Sequence, residues 1–248
     1  MSSVLQHAIL FSAGLGTRMR PLTEHTPKAL IQLAGKPLLD YALERFEAAR
    51  CTRIVVNTHH LAEQIAAHLE RRRSRAEIIR SHEPVLLETG GGAVRALPWL
   101  GSTAPFFCAN MDTLWFDGPQ TSALDRLRAA YDPEAMDALL LLQPLSRVVG
   151  YAKGGDFGLN AAGELTREGE RPYVATGLYV LHPRTLAGRA AEPFSMRDVW
   201  FAPQRADGSL ARIHGLVHDG DWLHVGTPGE LAAAEAFMAQ RAQAGAGR

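Results

Sequence analysis

The chain of 248 residues balances 26 lysines and arginines against 26 aspartates and glutamates. No global field therefore attracts nucleic acid or an acidic membrane, and any anion site must be built locally. A content of 46% hydrophobic and 21% charged residues suits a soluble globular protein, and the length suits one large α/β domain.

Cys51 and Cys108 are far apart and outside any CxxC spacing, which argues against a disulfide framework and a zinc site. Cys108 lies in an apolar run and reads as a small buried hydrophobe. Met1 to Gln6 lack the charged start and apolar core of a signal peptide, and no apolar stretch approaches ~20 residues. The expectation is a cytoplasmic protein with no nucleic-acid partner and no membrane span.

Ala8-Ile9-Leu10-Phe11 reads as a buried first strand. It runs into Gly14-Leu15-Gly16-Thr17-Arg18-Met19-Arg20-Pro21 and on to Thr26-Pro27-Lys28. A glycine pair after a strand lets the backbone approach a ligand closely, and its unpaired N–H groups form a cradle for phosphate. Arg18, Arg20, Lys28 and Lys36 add positive charge, with Glu24 opposing them. From Pro37 to Phe46 apolar residues recur at helical spacing, with Leu39, Leu43 and Phe46 on one face. Ile54-Val55-Val56 is a strand ending in Asn57, and a second amphipathic helix runs from Leu61 to Leu69. Alternation of this kind indicates βαβ units and a mostly parallel sheet. The basic run Arg71-Arg72-Arg73-Ser74-Arg75 has no interleaved aromatics, so it reads as a solvated helix end rather than a nucleic-acid patch.

Ile78-Ile79 marks a further strand. Glu88-Thr89-Gly90-Gly91-Gly92 then opens a helix through Leu97, and glycines at a helix mouth predict a second ligand-contacting loop. Phe106 to Ala109 lack alternation, as a fully buried strand does, and end in Asn110-Met111-Asp112. A carboxylate just past the carboxyl end of a central strand sits where ligands bind in open α/β sheets, which makes Asp112 a candidate metal ligand. A helix over Thr121 to Tyr131 and a buried strand over Ala138 to Leu142 follow. From Val148 the glycines Gly150, Gly154, Gly155, Gly158 and Gly163 break the chain into short antiparallel pieces such as Phe157-Gly158-Leu159. Ala175 to Leu181 is a strand with Gly177 inside it, the mark of a bulge or of a ligand passing close. A helix over Met196 to Arg205, an extended Ile213 to Val217, and a strand-to-turn element Asp221 to Pro228 lead to a last helix, Pro228 to Gln240. Arg241 to Arg248 are expected to fray.

The loop Gly14-Leu15-Gly16-Thr17-Arg18, with Pro21-Leu22-Thr23 and Thr26-Pro27-Lys28, resembles the signature of sugar-1-phosphate nucleotidylyltransferases. The likeness continues through Val56-Asn57, Glu88 to Gly92, Asn110-Met111-Asp112, Gly155-Asp156-Phe157, Thr176-Gly177 and Val225-Gly226-Thr227, covering nearly the whole chain. Within that family the Glu88 to Gly92 and Gly155 to Phe157 stretches are most similar to N-acetylmuramate-1-phosphate uridylyltransferases of bacterial cell-wall recycling. Short mannose-1-phosphate guanylyltransferases are the near alternative, with glucose-1-phosphate nucleotidylyltransferases beside them.

The resemblance implies an α/β, Rossmann-like three-layer nucleotidyltransferase fold with a mixed, mostly parallel central sheet and a small antiparallel sugar-binding region. It implies one domain over residues 1–241, with a nucleotide-binding half (1–145), a sugar-binding half (146–227), a C-terminal helix (228–241) and a frayed tail (242–248). The implied partners are a nucleoside triphosphate and a sugar-1-phosphate, on a monomer or homodimer. Transfer between two polyanions requires cancelled repulsion and in-line alignment. The implied catalytic residues are Arg18 at the leaving pyrophosphate, Lys28 at the reacting phosphate, and Asp112 carrying Mg²⁺, with Mn²⁺ as the alternative ion. Ala13, Gly14, Gly16, Thr17, Arg18, Glu88, Thr89, Gly90, Gly91 and Asn110 would hold the nucleotide. Asp156, Arg171, Thr176 and Gly177 would meet the sugar phosphate, although Arg171 is closer to Thr176 than the equivalent residue is in relatives.

One departure stands out. Many relatives place an aspartate, the second metal ligand, where this chain has His224. Three alternatives follow: Mg²⁺ held by Asp112, phosphates and water; a softer ion such as Mn²⁺ at His224; or substitution by Asp219 or Asp221. The first is preferred, because Mg²⁺ readily keeps water in its shell. His59 and His60 follow a strand and read as capping or lining a helix start, and His214, His218 and His224 fall on extended or turn segments rather than one helix face, which argues against zinc. A non-catalytic sugar-nucleotide sensor is the competing reading from another class. A dinucleotide-binding oxidoreductase is disfavoured by Arg18 and Lys28 standing where its fingerprint would continue with glycine.

Overall fold

The computed structural model describes residues 5–148, 154–201 and 209–246. In chain order the first elements are β1 (His7–Phe11), a short hairpin of β2 (Gln32–Leu33) and β3 (Lys36–Pro37), α1 (Leu38–Ala48), β4 (Arg53–Thr58), α2 (Ala62–Arg71) and β5 (Glu77–His82). Then come α3 (Glu88–Leu100), β6 (Phe106–Asn110), β7 (Thr113–Phe116), α4 (Ala123–Ala130) and β8 (Ala138–Pro144). The remainder comprises β9 (Gly158–Leu159), β10 (Glu164–Thr166), β11 (Tyr173–Leu181), α5 (Met196–Trp200), β12 (Ser209–Val217), β13 (Asp221–His224) and α6 (Pro228–Ala246).

Nine strands form one mixed sheet in the order β5-β4-β1-β6-β11-β8-β12-β10-β9. Pairing is parallel across β5-β4-β1-β6 and between β8 and β12. It is antiparallel across β6-β11-β8 and β12-β10-β9. The alternation of side chains along β1 sorts the layers. Ala8 and Leu10 enter a core shared with α1, α2, α4 and α6, whereas Ile9 and Phe11 enter a second core shared with α3 and α5. That is the three-layer arrangement the resemblance implies. α1 buries Leu38, Leu39, Ala42, Leu43 and Phe46, and the Phe46 ring lies 6.2 Å from both Phe107 and Trp115. Cys108 is buried in the second core beside Tyr179, as its apolar setting predicts.

The register of β11 shifts between Ala175 and Tyr179, so Gly177 sits in a bulge. Its φ is +82, and a Cβ there would stand 2.8 Å from Asn110 Nδ2, so only glycine fits. Arg72 turns back from the basic run to Glu47 (2.5 and 3.0 Å) and Asp40 (3.2 Å), tying α2 to α1, while Arg71, Arg73 and Arg75 are exposed.

Two expectations need correction. The final helix does not stop at Gln240: α6 continues to Ala246. Apart from Gly245 the extension consists of the good helix formers alanine, glutamine and arginine, and Arg241 is held by Asp221 (2.8 Å) and by the Phe116 ring. The helix from Met196 ends by Trp200, with its expected continuation to Arg205 falling mainly outside the described residues, as does Gly150.

Candidate active site

The carboxyl ends of β1 and β6 open onto a cavity of about 360 Å³. The loop after β1 contributes Ala13, Gly14, Gly16, Thr17 and Arg18; Lys28, Asn110 and Asp112 line it from within; and Glu88 and Thr89 close the far wall. The loop turns sharply at Gly16 (φ +64), where a Cβ would lie 2.9 Å from Thr23 Cγ2 and 3.2 Å from Lys28 Cβ. Thr23 Oγ1 donates to the Gly16 carbonyl (2.8 Å), so the turn folds over the start of the Lys28 segment. Lys28 is buried, and its Nζ lies 2.8 Å from Asp112 Oδ2.

Asp112 immediately precedes β7, and β7 pairs with β13 in the register Thr113 to His224. Val225 N–H donates to the Asp112 carbonyl (2.8 Å). This pairing sets His224 Nε2 3.5 Å from Asp112 Oδ2, while His224 Nδ1 lies 3.1 Å from Glu230 Oε2. Gly226 N–H donates to the same Glu230 oxygen (2.8 Å). A side chain at Gly226 would strike His224 and the Arg18 guanidinium, which explains the glycine after Val225. The outcome is a line of alternating charge, Lys28–Asp112–His224–Glu230. Burial alone would raise the Asp112 pKa, but His224 and Lys28 outweigh it and hold the carboxyl well below the usual range. Burial alone would lower His224, and the carboxylates Asp112 and Glu230 on its two sides outweigh that and raise it.

A second cavity of about 320 Å³ adjoins the first, sharing Arg18, Thr89, Asn110 and Asp112. Asp156 and Gly177 line it, as do Tyr179, Arg197 and Trp200. Asp156 is fixed by its own backbone bond to the Tyr173 carbonyl (2.7 Å) and by accepting from Ala175 N–H (3.0 Å).

Several expected contacts are placed elsewhere. Thr176 faces inward, donating to the Leu141 carbonyl (2.8 Å), and its own carbonyl accepts from Trp222 Nε1 (3.0 Å). It pins the bulge and does not line the cavity. Arg171 is exposed and borders neither cavity; its carbonyl packs over Gly155. Gly90 and Gly91 lie inside α3, not in a loop, and donate to the Phe194 carbonyl (2.9 and 3.3 Å). A Cβ on Gly90 would fall 2.1 Å from the Phe194 ring, and one on Gly91 2.0 Å from the Glu192 carbonyl. These glycines dock the 192–196 segment and leave the cavity wall to Glu88 and Thr89.

The alternatives Asp219 and Asp221 are not beside Asp112. Asp219 pairs with Arg126 (2.5 Å) and Asp221 with Arg241 (2.8 Å). Asp221 pairs opposite Phe116, at the other end of the ribbon from His224. Among the described residues no group of three or more His, Cys, Asp or Glu gathers to hold a metal. One ionised carboxylate facing a phosphate-sized cavity suits a Mg²⁺-like ion, which would have to complete its shell with substrate oxygens and water.

Glu83, which sequence reading did not single out, is fully buried behind this site. Its Oε1 accepts from Asn57 Nδ2 (2.8 Å) and its Oε2 from Leu87 N–H (2.9 Å), and Asn57 Oδ1 accepts from Ser12 N–H (2.6 Å). One carboxylate thus joins the first loop to the start of α3, the two walls of the nucleotide cavity. Burial raises its pKa, with the Leu87 N–H and Asn57 opposing. The available signal was its place just past a strand end, like Asp112.

A family model for a MobA-like NTP transferase domain matches residues 8–193, from β1 past β11 into the segment that docks on α3. The chain belongs to this MobA-like NTP transferase family. The transferase is 40% identical to the N-acetylmuramate alpha-1-phosphate uridylyltransferase of Caulobacter vibrioides, over 97% of this chain and 100% of that one. It is 36% identical to the enzyme of the same name from Neisseria meningitidis, over 93% and 97%. Its structure matches HddC of Yersinia pseudotuberculosis, solved with GMP-PN, at a TM-score of 0.73 over 94% of this chain and 100% of that one. Their 20% identity makes that a likeness of fold alone. The resemblance to sugar-1-phosphate nucleotidylyltransferases holds for family and enzyme class. No helix among the described residues is long and apolar enough to cross a membrane.

Proposed function

We propose that the transferase joins the uridylyl group of UTP to N-acetylmuramate-1-phosphate, releasing pyrophosphate, in the cytoplasmic recycling of bacterial cell-wall sugars. The observation that carries this reading is the meeting of two cavities at Arg18 and Asp112, with Lys28 bound to Asp112 on the nucleotide side, joined to the names borne by the Caulobacter and Neisseria relatives. The nucleotide occupies the cavity under the Gly14–Gly16 loop and the sugar phosphate the one beside Asp156 and Gly177. A sugar-phosphate oxygen forms a bond to the α-phosphorus while the bond to the β-phosphate bridging oxygen breaks. The nucleophile is already an anion, so no general base is needed.

Arg18 lines both cavities and makes no ion pair with any described carboxylate, which leaves its guanidinium for the departing pyrophosphate. Lys28 places a buried point charge against Asp112 on the nucleotide side, where charge develops in the transition state. Asp112 would hold a divalent cation, Mg²⁺ or alternatively Mn²⁺, which offsets phosphate charge when bound. His224, held between Asp112 and Glu230, orients the Asp112 carboxylate.

Pyrophosphate release with four nucleoside triphosphates against N-acetylmuramate-, glucose- and mannose-1-phosphate tests the reading. UTP with N-acetylmuramate-1-phosphate should give the highest kcat/KM. A maximum with GTP and mannose-1-phosphate would overturn it, and nucleotide binding without any release would mark a sensor.

A further inference from the structure

Glu230 borders neither cavity, yet one of its oxygens holds a residue of each. Its Oε2 accepts from Gly226 N–H (2.8 Å) and lies 3.1 Å from His224 Nδ1. Gly226 lines the nucleotide-side cavity and His224 the sugar-side cavity. The space beside the Gly226 α-carbon is already taken from three directions. A Cβ there would meet His224 Cε1 at 2.3 Å, Arg18 Nη2 at 2.9 Å and Glu230 Oε2 at 3.0 Å. The glycine backbone is therefore the floor over which Arg18 and His224 approach each other, and Glu230 holds that floor from outside both cavities.

This anchor does more than cap a helix. Thr227-Pro228-Gly229-Glu230 has the spacing of a capping box, and Glu230 N–H donates to Thr227 Oγ1 (3.2 Å). The return bond of such a box goes to the N–H of the threonine itself. Here the carboxylate reaches one residue further back, to Gly226 N–H, and faces the His224 ring. The same helix grips the other end of β13, where Arg241 holds Asp221 (2.8 Å). Between Glu230 and Arg241 α6 rises about 16 Å, enough to lie along the roughly 10 Å that separate Asp221 from His224 in β13. The strand that carries His224 is thus splinted at both ends by α6.

We propose that Glu230 is a positioning residue for the transfer step, its shared oxygen setting the His224 ring against Asp112 and the Gly226 backbone under Arg18. A ring tethered at one nitrogen presents the other in a fixed direction, and a carboxylate behind a histidine fixes that direction strongly. The inference rests on the transfer reading of the two cavities and adds the residue that keeps their junction in register. Because Glu230 lines neither cavity, its loss should slow the reaction while leaving both substrates bound.

Glu230→Ala and Glu230→Gln are compared with the wild type in pyrophosphate release, using whichever nucleoside triphosphate and sugar-1-phosphate the wild type turns over fastest. Glu230→Ala should lower kcat about 10- to 100-fold, no more than His224→Ala does, with each KM moving less than about threefold. Glu230→Gln, whose amide oxygen can accept both bonds, should stay within about threefold of the wild type. Added to His224→Ala, Glu230→Ala should cost at most about threefold more, because its main route is already cut. A lower Tm with kcat unchanged would make Glu230 a helix cap and overturn the inference. A loss confined to KM, a Gln variant as slow as the Ala variant, or the full loss recurring without His224 would overturn it too. Ring ¹⁵N spectra read the same tether without turnover. The His224 Nδ1 resonance should keep near its wild-type position in Glu230→Gln and move in Glu230→Ala, and no movement in Glu230→Ala overturns the inference. A wild type that turns over no pair, or that prefers GTP with mannose-1-phosphate, defeats the uridylyltransferase reading, while the ring resonance still decides for Glu230.

Discussion

The nucleotide-side and sugar-side cavities share Arg18, Thr89, Asn110 and Asp112, yet they draw on the chain in different ways. The first is assembled from loops just past the carboxyl ends of neighbouring parallel strands, where an open α/β sheet leaves room for a ligand. Its chemistry is carried by backbone and a few cations close in sequence to the glycine loop. The second takes Asp156 from the loop before β9, Gly177 from a bulge in β11, Arg197 from α5 and His224 from β13. Antiparallel strands and docked segments present side chains there, so recognition depends on which distant pieces meet. A shared reaction can thus sit on a local phosphate cradle while specificity is set by long-range packing.

The sharpest way to break this comparison is at the junction. Asp112→Ala should lower kcat/KM by at least about 10³-fold, measured by pyrophosphate release at saturating Mg²⁺. His224→Ala, which removes only an orienting neighbour, should cost about 10- to 100-fold in the same assay. Equal losses would make His224 a partner of the same rank as Asp112.

Gly90→Ala separates the two cavities. A methyl group cannot coexist with the Phe194 ring, so the 192–196 segment must shift at a cost of about 1–3 kcal/mol in stability. KM for the sugar phosphate should rise more than KM for the nucleotide. The reverse order would return Gly90 to the nucleotide wall.

Glu83→Gln acts on the opposite side. The new amide must direct its N–H₂ toward Asn57 or Leu87, both already donors, at a cost of about 1–3 kcal/mol. Because this carboxylate joins the walls of the nucleotide cavity, KM for the triphosphate should rise with little change for the sugar phosphate. Unchanged steady-state constants would reduce Glu83 to packing.

The smallest effect lies away from both cavities. Burial alone would raise Glu47, but Arg72 and Ser74 outweigh it and lower its pKa. A depressed folded-state pKa contributes stability above the unfolded value, about 4.3, and loses it as pH falls through the folded value. Glu47→Gln should therefore cost about 1 kcal/mol at pH 7, seen as a lower Tm, with kcat unchanged. The gap to wild type should narrow below about pH 4.

By itself the sequence determined the phosphate loop, the buried parallel strands and the carboxylate at the end of β6. These depend on local backbone freedom and short-range apolar patterning, which neighbouring residues specify. Even the pattern of Gly90 and Gly91 was visible, though not its purpose. Tertiary structure alone decided that Lys28 reaches Asp112 across 84 residues and that Met196 docks on Thr89 across 107. It also turned Thr176 inward, left Arg171 outside, and carried His224 to Asp112 through the β7–β13 pairing. The physical reason is that side-chain direction and partner choice follow from strand register and packing between distant segments, and a one-residue change of register would reverse every such assignment.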